Sequence, residues 1–417
     1  MANTLVTPSW VMKEGMFRLV NSLKFTGELD KQYDKQYVVD GAKVGNVVNA
    51  RLPVQYNVTE GDAFQAQDVQ ERIVPIEITD LLNVAIEFGS RSLTLEVDNY
   101  RERYLEPAFD QLANEVDKRN QQRMAQATAT YAGTPAVPPG STGTLPGAAT
   151  DPYLEVGEKL DMNACPVDNR VACLAPRLHR YLVQGVQSLF NPVAAIAANY
   201  RKGMFGNDQL GVERWYKTQT TYRHTIGPLG GTPLINGAGQ TGASLVTDGW
   251  TAAAATRLHK GDKIEIENVN HTNPLNKTAS GFQRTFTVTA DVASDGSGNA
   301  TIPIDPPIYG PGDPYQNVDA LPADGAAITI FGHASSHADK QTWMNPIFVK
   351  AAYAFVSADL EKMGGAWIME RIRSKAIGLA FRLWKDRDIR TNSSPCRVDL
   401  LFGVKAVREQ LGGVVIG

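Results

Sequence analysis

The chain has 417 residues, 43% of them hydrophobic and 20% charged, and a formal net charge of −3. That length buries a sizeable core and would divide into two or three domains, while the lack of a basic excess excludes tight nucleic-acid binding as the expected task. Cys165, Cys173 and Cys396 are too few and too scattered for a disulfide framework or a zinc site, and are expected as buried apolar groups in a reducing compartment. The first residues lack a basic start followed by an apolar run, and no stretch of 18 apolar residues occurs. Neither export nor a membrane span is expected, which leaves a soluble protein made in cytoplasm.

Residues 7–24 have the pattern of a short helix, with Thr7 as cap and Pro8 in its first turn. A polar run at 28–37 follows, so the helix reads as an arm on a tether that docks elsewhere. From 36 to 96 the pattern changes to short alternating runs, with strands expected at 47–52, 72–78 and 84–88. Between the first two lies a polar stretch, 57–70, in which Phe64 is the one large apolar residue. A two-stranded excursion of this kind has no core and must pack on something else.

Residues 98–131 spell the longest helix. Leu105, Phe109, Leu112 and Val116 step by four, three and four, which places them on one stripe, with Arg103, Asp110, Asn114 and Lys118 facing away. Asp98 or Asn99 can cap it, and Asn99 with Glu102 has capping-box spacing. Pro107 either sits in the first turn or kinks a longer helix. The part after it would be roughly 35 Å long, which suits a strut. Gly133, Thr134 and Pro135 then open a Gly/Pro-rich loop.

A second helix is expected at 151–162, with Asp151 capping and Pro152 at its first position. A buried strand at 171–174, a helix at 176–189, an Ala-rich helix ending at Tyr200 and a strand at 212–216 complete a mixed α+β region. Beyond Ile226 glycine and threonine dominate, and strand-like runs follow at 263–267, 286–290, 300–304 and 327–331 with tight turns between them. This is the pattern of a small all-β barrel or sandwich inserted into the α+β domain. The chain then resumes that domain: a hydrophobic run at 345–357, strand-like segments at 371–382, at Ile389 and at 398–407, and a last apolar strand at 414–416.

Local sequences at these places resemble those of the major capsid proteins of tailed bacteriophages, of the short-tailed-phage type with an inserted β-barrel domain. A-N-T-L-V-T-P-S-W-V-M-K-E-G at 2–15 is similar to that family's arm, and G-N-V-V-N-A-R-L-P at 45–53 to the first strand of its extended loop. Y-L-E-P-A-F-D-Q-L-A-N-E-V-D at 104–117 resembles its spine helix, and L-F-N-P with Y-R-K-G at 189–192 and 200–203 its central domain. G-D-K-I, N-P-L-N-K and T-A-D-V-A-S-D-G-S-G-N-A-T at 261–264, 273–277 and 289–301 resemble the inserted domain, and R-V-D-L-L-F-G-V-K at 397–405 the closing strand.

The resemblance implies the α+β tailed-phage major capsid fold: an N-terminal arm on 1–38, an extended loop with adjoining peripheral strands on 39–97, and a spine helix on 98–135. It further implies a central domain beginning on 136–226, an inserted β-barrel on 227–332, and return strands on 333–417. It implies a protein with no catalytic, cofactor or metal site that assembles with itself as pentamers and hexamers into an icosahedral head around double-stranded DNA. A scaffolding protein and a portal at one vertex are the implied partners, with no membrane, and binding of a decoration protein outside is left open. The family's best-known member has a longer charged loop thought to reach a neighbouring capsomer where this chain has 236–250, uncharged except for Asp248. A cross-capsomer salt bridge is in doubt there.

Other motifs are weaker. Gly237, Gly239 and Gly242 have dinucleotide-type spacing, but 247–250 reads as a turn with no helix after it, so a Gly-rich barrel loop is expected. His333, His337 and Asp339 sit where the barrel rejoins and are expected as a polar hinge rather than metal ligands. Glycosylation-type triplets such as 57–59 and 276–278 carry no weight without a secretory signal. The functional weight falls on the arm and loop. Glu60, Asp62, Asp68 and Glu71 on the loop can pair with Arg101, Arg103, Lys118 and Arg123 on a neighbouring copy's spine, the alternative for any single pair being merely solvated charges. The alternative for the whole chain is a soluble α+β enzyme or β-rich adhesin with an accessory barrel.

Overall fold

The computed structural model describes residues 23–31, 46–54, 56, 71–89, 106–141, 148–185, 209–333, 336–361, 368–373 and 378–417. Nearly all of the expected arm helix, the loop tip at 57–70, the start of the spine at 98–105 and the Ala-rich helix before Tyr200 fall outside them. The chain forms two compact units.

The first unit gathers Met1–Arg51, Ile73–Asn120 and Tyr353–Val407. Its five-stranded antiparallel sheet is built on the long strand Ser393–Ala406, which pairs with Asp80–Gly89, Ala380–Lys385 and Tyr353–Ala358. Ile368–Arg373 extends the sheet from Ala380–Lys385. One cross-strand pair in this sheet is ionic: Arg382 stands opposite Asp399 and donates to it at 2.6 Å, both side chains buried. The strands Val47–Arg51 and Ile73–Glu77 form a separate antiparallel ladder. Gly403 lets that ladder approach, since a β-carbon there would press on the Glu77 carbonyl.

The spine helix runs over Glu106–Ala127. Phe109, Leu112 and Val116 are buried as the stripe requires, with Phe109 against Phe381 at 5.4 Å between ring centres. Pro107 lies within the described part of the helix. The helix stops four residues short of Tyr131, because Thr128 turns its hydroxyl back onto the Met124 carbonyl and Tyr131–Ala132 pairs in parallel with the C-terminal strand Gly412–Ile416.

The second unit comprises Leu52–Arg72, Gln121–Ala352 and Arg408–Gly417. Its central sheet runs in the order Tyr131–Ala132, Gly412–Ile416, Gln341–Val349, Arg170–Leu174, Arg214–Lys217, with Arg223–Thr225 pairing the start of Gln341–Val349. Arg170–Leu174 and Gly412–Ile416 are buried at every residue, as strands covered on both faces must be. Helices Asp151–Met162 and Pro176–Gly185 belong to the same unit. Thr150, not Asp151, takes the N-cap position, and Asp151 occupies the first turn, where its charge still favours the helix dipole.

The inserted domain is a six-stranded sheet ordered Ile328–Ile330, Lys263–Thr272, Ala279–Val288, Ala300–Ile308, Gly242–Trp250, Gly231–Ile235. A bridge from Leu234 to Ala327, and Ile235 N–H donating to Ala326 O, join last strand to first and nearly close a barrel. Its core includes Leu245, Ile264, Ile266, Phe286, Ile302 and Ile330. Two local expectations fail. Residues 247–250 are strand, not turn: Thr247 and Val246 pair with Ala300 and Thr301, and Gly237 and Gly239 form the hairpin tip beyond. Ile389 lies in an exposed turn closed by Asp388 pairing Ser393, because the Asp388 carboxylate accepts the Arg390 N–H and halts the strand.

Candidate assembly site

The arm meets the spine helix through one carboxylate. Asp117, buried, accepts the backbone N–H groups of Lys24, Phe25 and Thr26 at 3.0–3.2 Å and the Thr26 hydroxyl at 2.6 Å. Asn120, one turn on, donates to the Thr26 hydroxyl at 2.9 Å. Burial pushes the Asp117 carboxyl up, and the four donors pull it back. Phe25 and Leu29 bury beside it, and Asp30 bridges Ala354 on the sheet edge. A polar residue on the buried side of the stripe was the only sequence signal for this anchor.

The barrel is fixed within its unit by buried ionisable groups. Lys263 donates to the Ala125 carbonyl at 2.9 Å, near the end of the spine helix, and to the Thr287 hydroxyl at 3.0 Å. Burial lowers its ammonium to about 7. His224 Nε2 lies 2.7 Å from the Asp262 carboxylate, whose other oxygen accepts the Gly227 and His259 N–H groups. The Tyr131 hydroxyl donates to Glu265, and Lys159 donates to the Tyr131 carbonyl at 2.8 Å. Glu409, partly buried 3.6 Å from Arg284, is pushed up to about 8, chiefly by desolvation. His271, stacked on Phe282 and bonded to Asn163 and Ser280, is lowered by burial to about 3.

Of the residues expected to pair between copies, Glu60, Asp62, Asp68, Arg101 and Arg103 lie outside the described residues. Glu71 is exposed at the foot of the loop, Lys118 is exposed with its ammonium 3.3 Å from Glu115 on its own helix, and Arg123 is half-buried. Lys118 would therefore have to exchange a weak exposed partner for one on another copy. His333 and His337 stack edge to face at 4.6 Å, and Lys340 rather than a third ligand approaches His337. Among the described residues no three His, Cys, Asp or Glu side chains gather as metal ligands, and no helix is long and apolar enough to cross a membrane. All three cysteines are buried.

A strand-rich α+β unit carrying a long helix, and a second with a nearly closed barrel let into its central sheet, are the parts expected of the tailed-phage major capsid fold. The chain belongs to the P22 coat protein family: the family model described as "P22 coat protein - gene protein 5" matches residues 19–417. Its work is structural, as a component of a phage head assembled from copies of itself, and the enzyme or adhesin alternative finds no support.

Solved structures similar to the chain include one from Mycobacterium phage Che8, 13% identical with a TM-score of 0.47, covering 94% of this chain and 90% of that one. The asymmetric unit of the bacteriophage PhiM1 mature capsid is 11% identical with a TM-score of 0.44, covering 89% and 82%. The CUS-3 coat protein I-domain is 25% identical over 25% of this chain and 99% of its own, with a TM-score of 0.19. No curated protein sequence matches the chain.

Proposed function

We propose that this protein forms pentamers and hexamers that close into the icosahedral head around double-stranded DNA, guided by a scaffolding protein and interrupted at one vertex by a portal, in the cytoplasm of a bacterial host. The observation that carries this reading is the family match over nearly the whole chain, 19–417. The division into arm (1–38), extended loop (39–97), spine (98–135), central domain (136–226), barrel (227–332) and return strands (333–417) goes with it. A decoration protein would bind the outer surface. The net charge of −3 suits a container, since a strongly basic wall would hold DNA by counterion release and impede its exit.

Electron microscopy of the purified protein, with and without co-expressed scaffold, tests the proposal. Closed shells with five- and six-fold capsomers are expected. A monomer that never assembles with its scaffold would overturn it.

A further inference from the structure

The excursion that carries the loop leaves at Leu52 and returns at Arg72, and the Leu52 N–H donates to the Arg72 carbonyl at 2.9 Å. At this foot the Arg72 guanidinium lies 5.4 Å from the ring centre of Tyr309 and 5.0 Å from that of Tyr315. The two rings are 6.2 Å apart and inclined by 48°, so they offer the planar cation two π-faces at once.

Both tyrosines are held by the barrel. Tyr309 exchanges bonds with Asn317, donating its N–H to Asn317 Oδ1 at 2.9 Å and accepting the Asn317 N–H at 3.2 Å. Tyr315 donates its N–H to Asp313 Oδ1 at 2.7 Å, and Lys277 ties down the adjoining Pro314 carbonyl at 2.7 Å. The clamp is therefore held on the barrel side, while Arg72 stands at the foot of an excursion expected to have no core of its own.

We propose that Arg72 is a positioning residue for shell assembly: held against Tyr309 and Tyr315, it fastens the foot of the extended loop to the inserted barrel, so that the barrel sets where the loop departs toward a second copy of the chain. The inference rests on the capsid reading. Guanidinium geometry matters to it, because a flat cation meets both rings where an ammonium meets them only as a point charge. The tyrosine hydroxyls do not.

The test uses the full chain co-expressed with scaffold, comparing Arg72→Leu, Arg72→Lys, Tyr315→Leu and the double variant Tyr309→Phe with Tyr315→Phe. Hydrogen exchange at the Leu52 amide reports the clamp, and shell yield and diameter report assembly. Arg72→Leu and Tyr315→Leu are expected to speed Leu52 exchange by about tenfold, the order set by losing a partly desolvated cation–π contact, and to give fewer or mis-sized shells. Arg72→Lys falls between, and the double Phe variant matches wild type. Should Arg72→Leu fail to fold, Tyr315→Leu, which keeps the charge, decides alone. Wild-type exchange and shells in the leucine variants, or the leucine defects in the double Phe variant, overturn the inference. Failure of the wild type itself to form shells refutes the capsid reading instead, and the Leu52 exchange rates still judge the clamp.

Discussion

Lys263 shows how a single buried charge ties the inserted barrel into its unit at a cost. With Asp262, Asp305 and Glu409 around it, the ammonium is still brought down to about 7 by burial, against ~10.4 in an unfolded chain. Between those values the unfolded chain binds the extra proton, so stability from this group rises with pH; below the lower one both states are charged and the full penalty, roughly 5 kcal/mol, is in place. Lys263→Met removes the titration and also the donor to Ala125 O. The expected outcome is a variant less stable than wild type at pH 10 whose deficit shrinks or reverses at pH 6, read by thermal unfolding at the two values. Glu409 titrates in the opposite sense up to about 8, so the comparison is made at each pH against wild type, where its contribution largely cancels.

At the scale of elements, Asp117 fixes the arm to the spine helix alongside the burial of Leu23, Phe25 and Leu29. Its carboxylate works as an external cap for the 3-10 turn Thr26–Glu28, supplying acceptors for donors that would otherwise be buried without partners. Asp117→Ala strands those donors and is expected to cost about 2–4 kcal/mol of arm docking while the five-stranded sheet stays folded. Trypsin cleavage after Lys24 and Lys31 should accelerate with no loss of sheet signal by circular dichroism. Much of this architecture was legible in advance. The period of Phe109, Leu112 and Val116 located the spine, and Pro152 located the helix Asp151–Met162. The misses have physical causes. Glycines at 242 and 249 hid the strand between them, because local propensity disfavours what pairing with Ala300–Ile308 supports. Ile389 looked like strand because hydropathy cannot see a carboxylate capping a turn. Arg72, Tyr309 and Tyr315 could not be joined by any sequence period, since only the fold of the second unit brings them together.

For the molecule as a whole, assembly multiplies small terms. An exposed ion pair contributes well under about 1 kcal/mol, yet a shell repeats each contact in every subunit. Reversing Asp62 and Glu71 to Lys is therefore expected to impair shell formation while monomer melting stays within about 1 kcal/mol of wild type; light scattering during scaffold-driven assembly is the measurement, and normal assembly would discard the loop-charge pairing. The placement of Gly412–Ile416 has another consequence. This strand fills the slot between Gln341–Val349 and Tyr131–Ala132, both of which emerge from the ribosome before it. Translation must therefore deliver it before the second unit's sheet can close, and until then the two waiting strands present open edges. A nascent chain stalled short of Gly412 would be a sticky intermediate, so synthesis speed and chaperone supply, rather than shell contacts, would limit how much assembly-competent protein a cell can make.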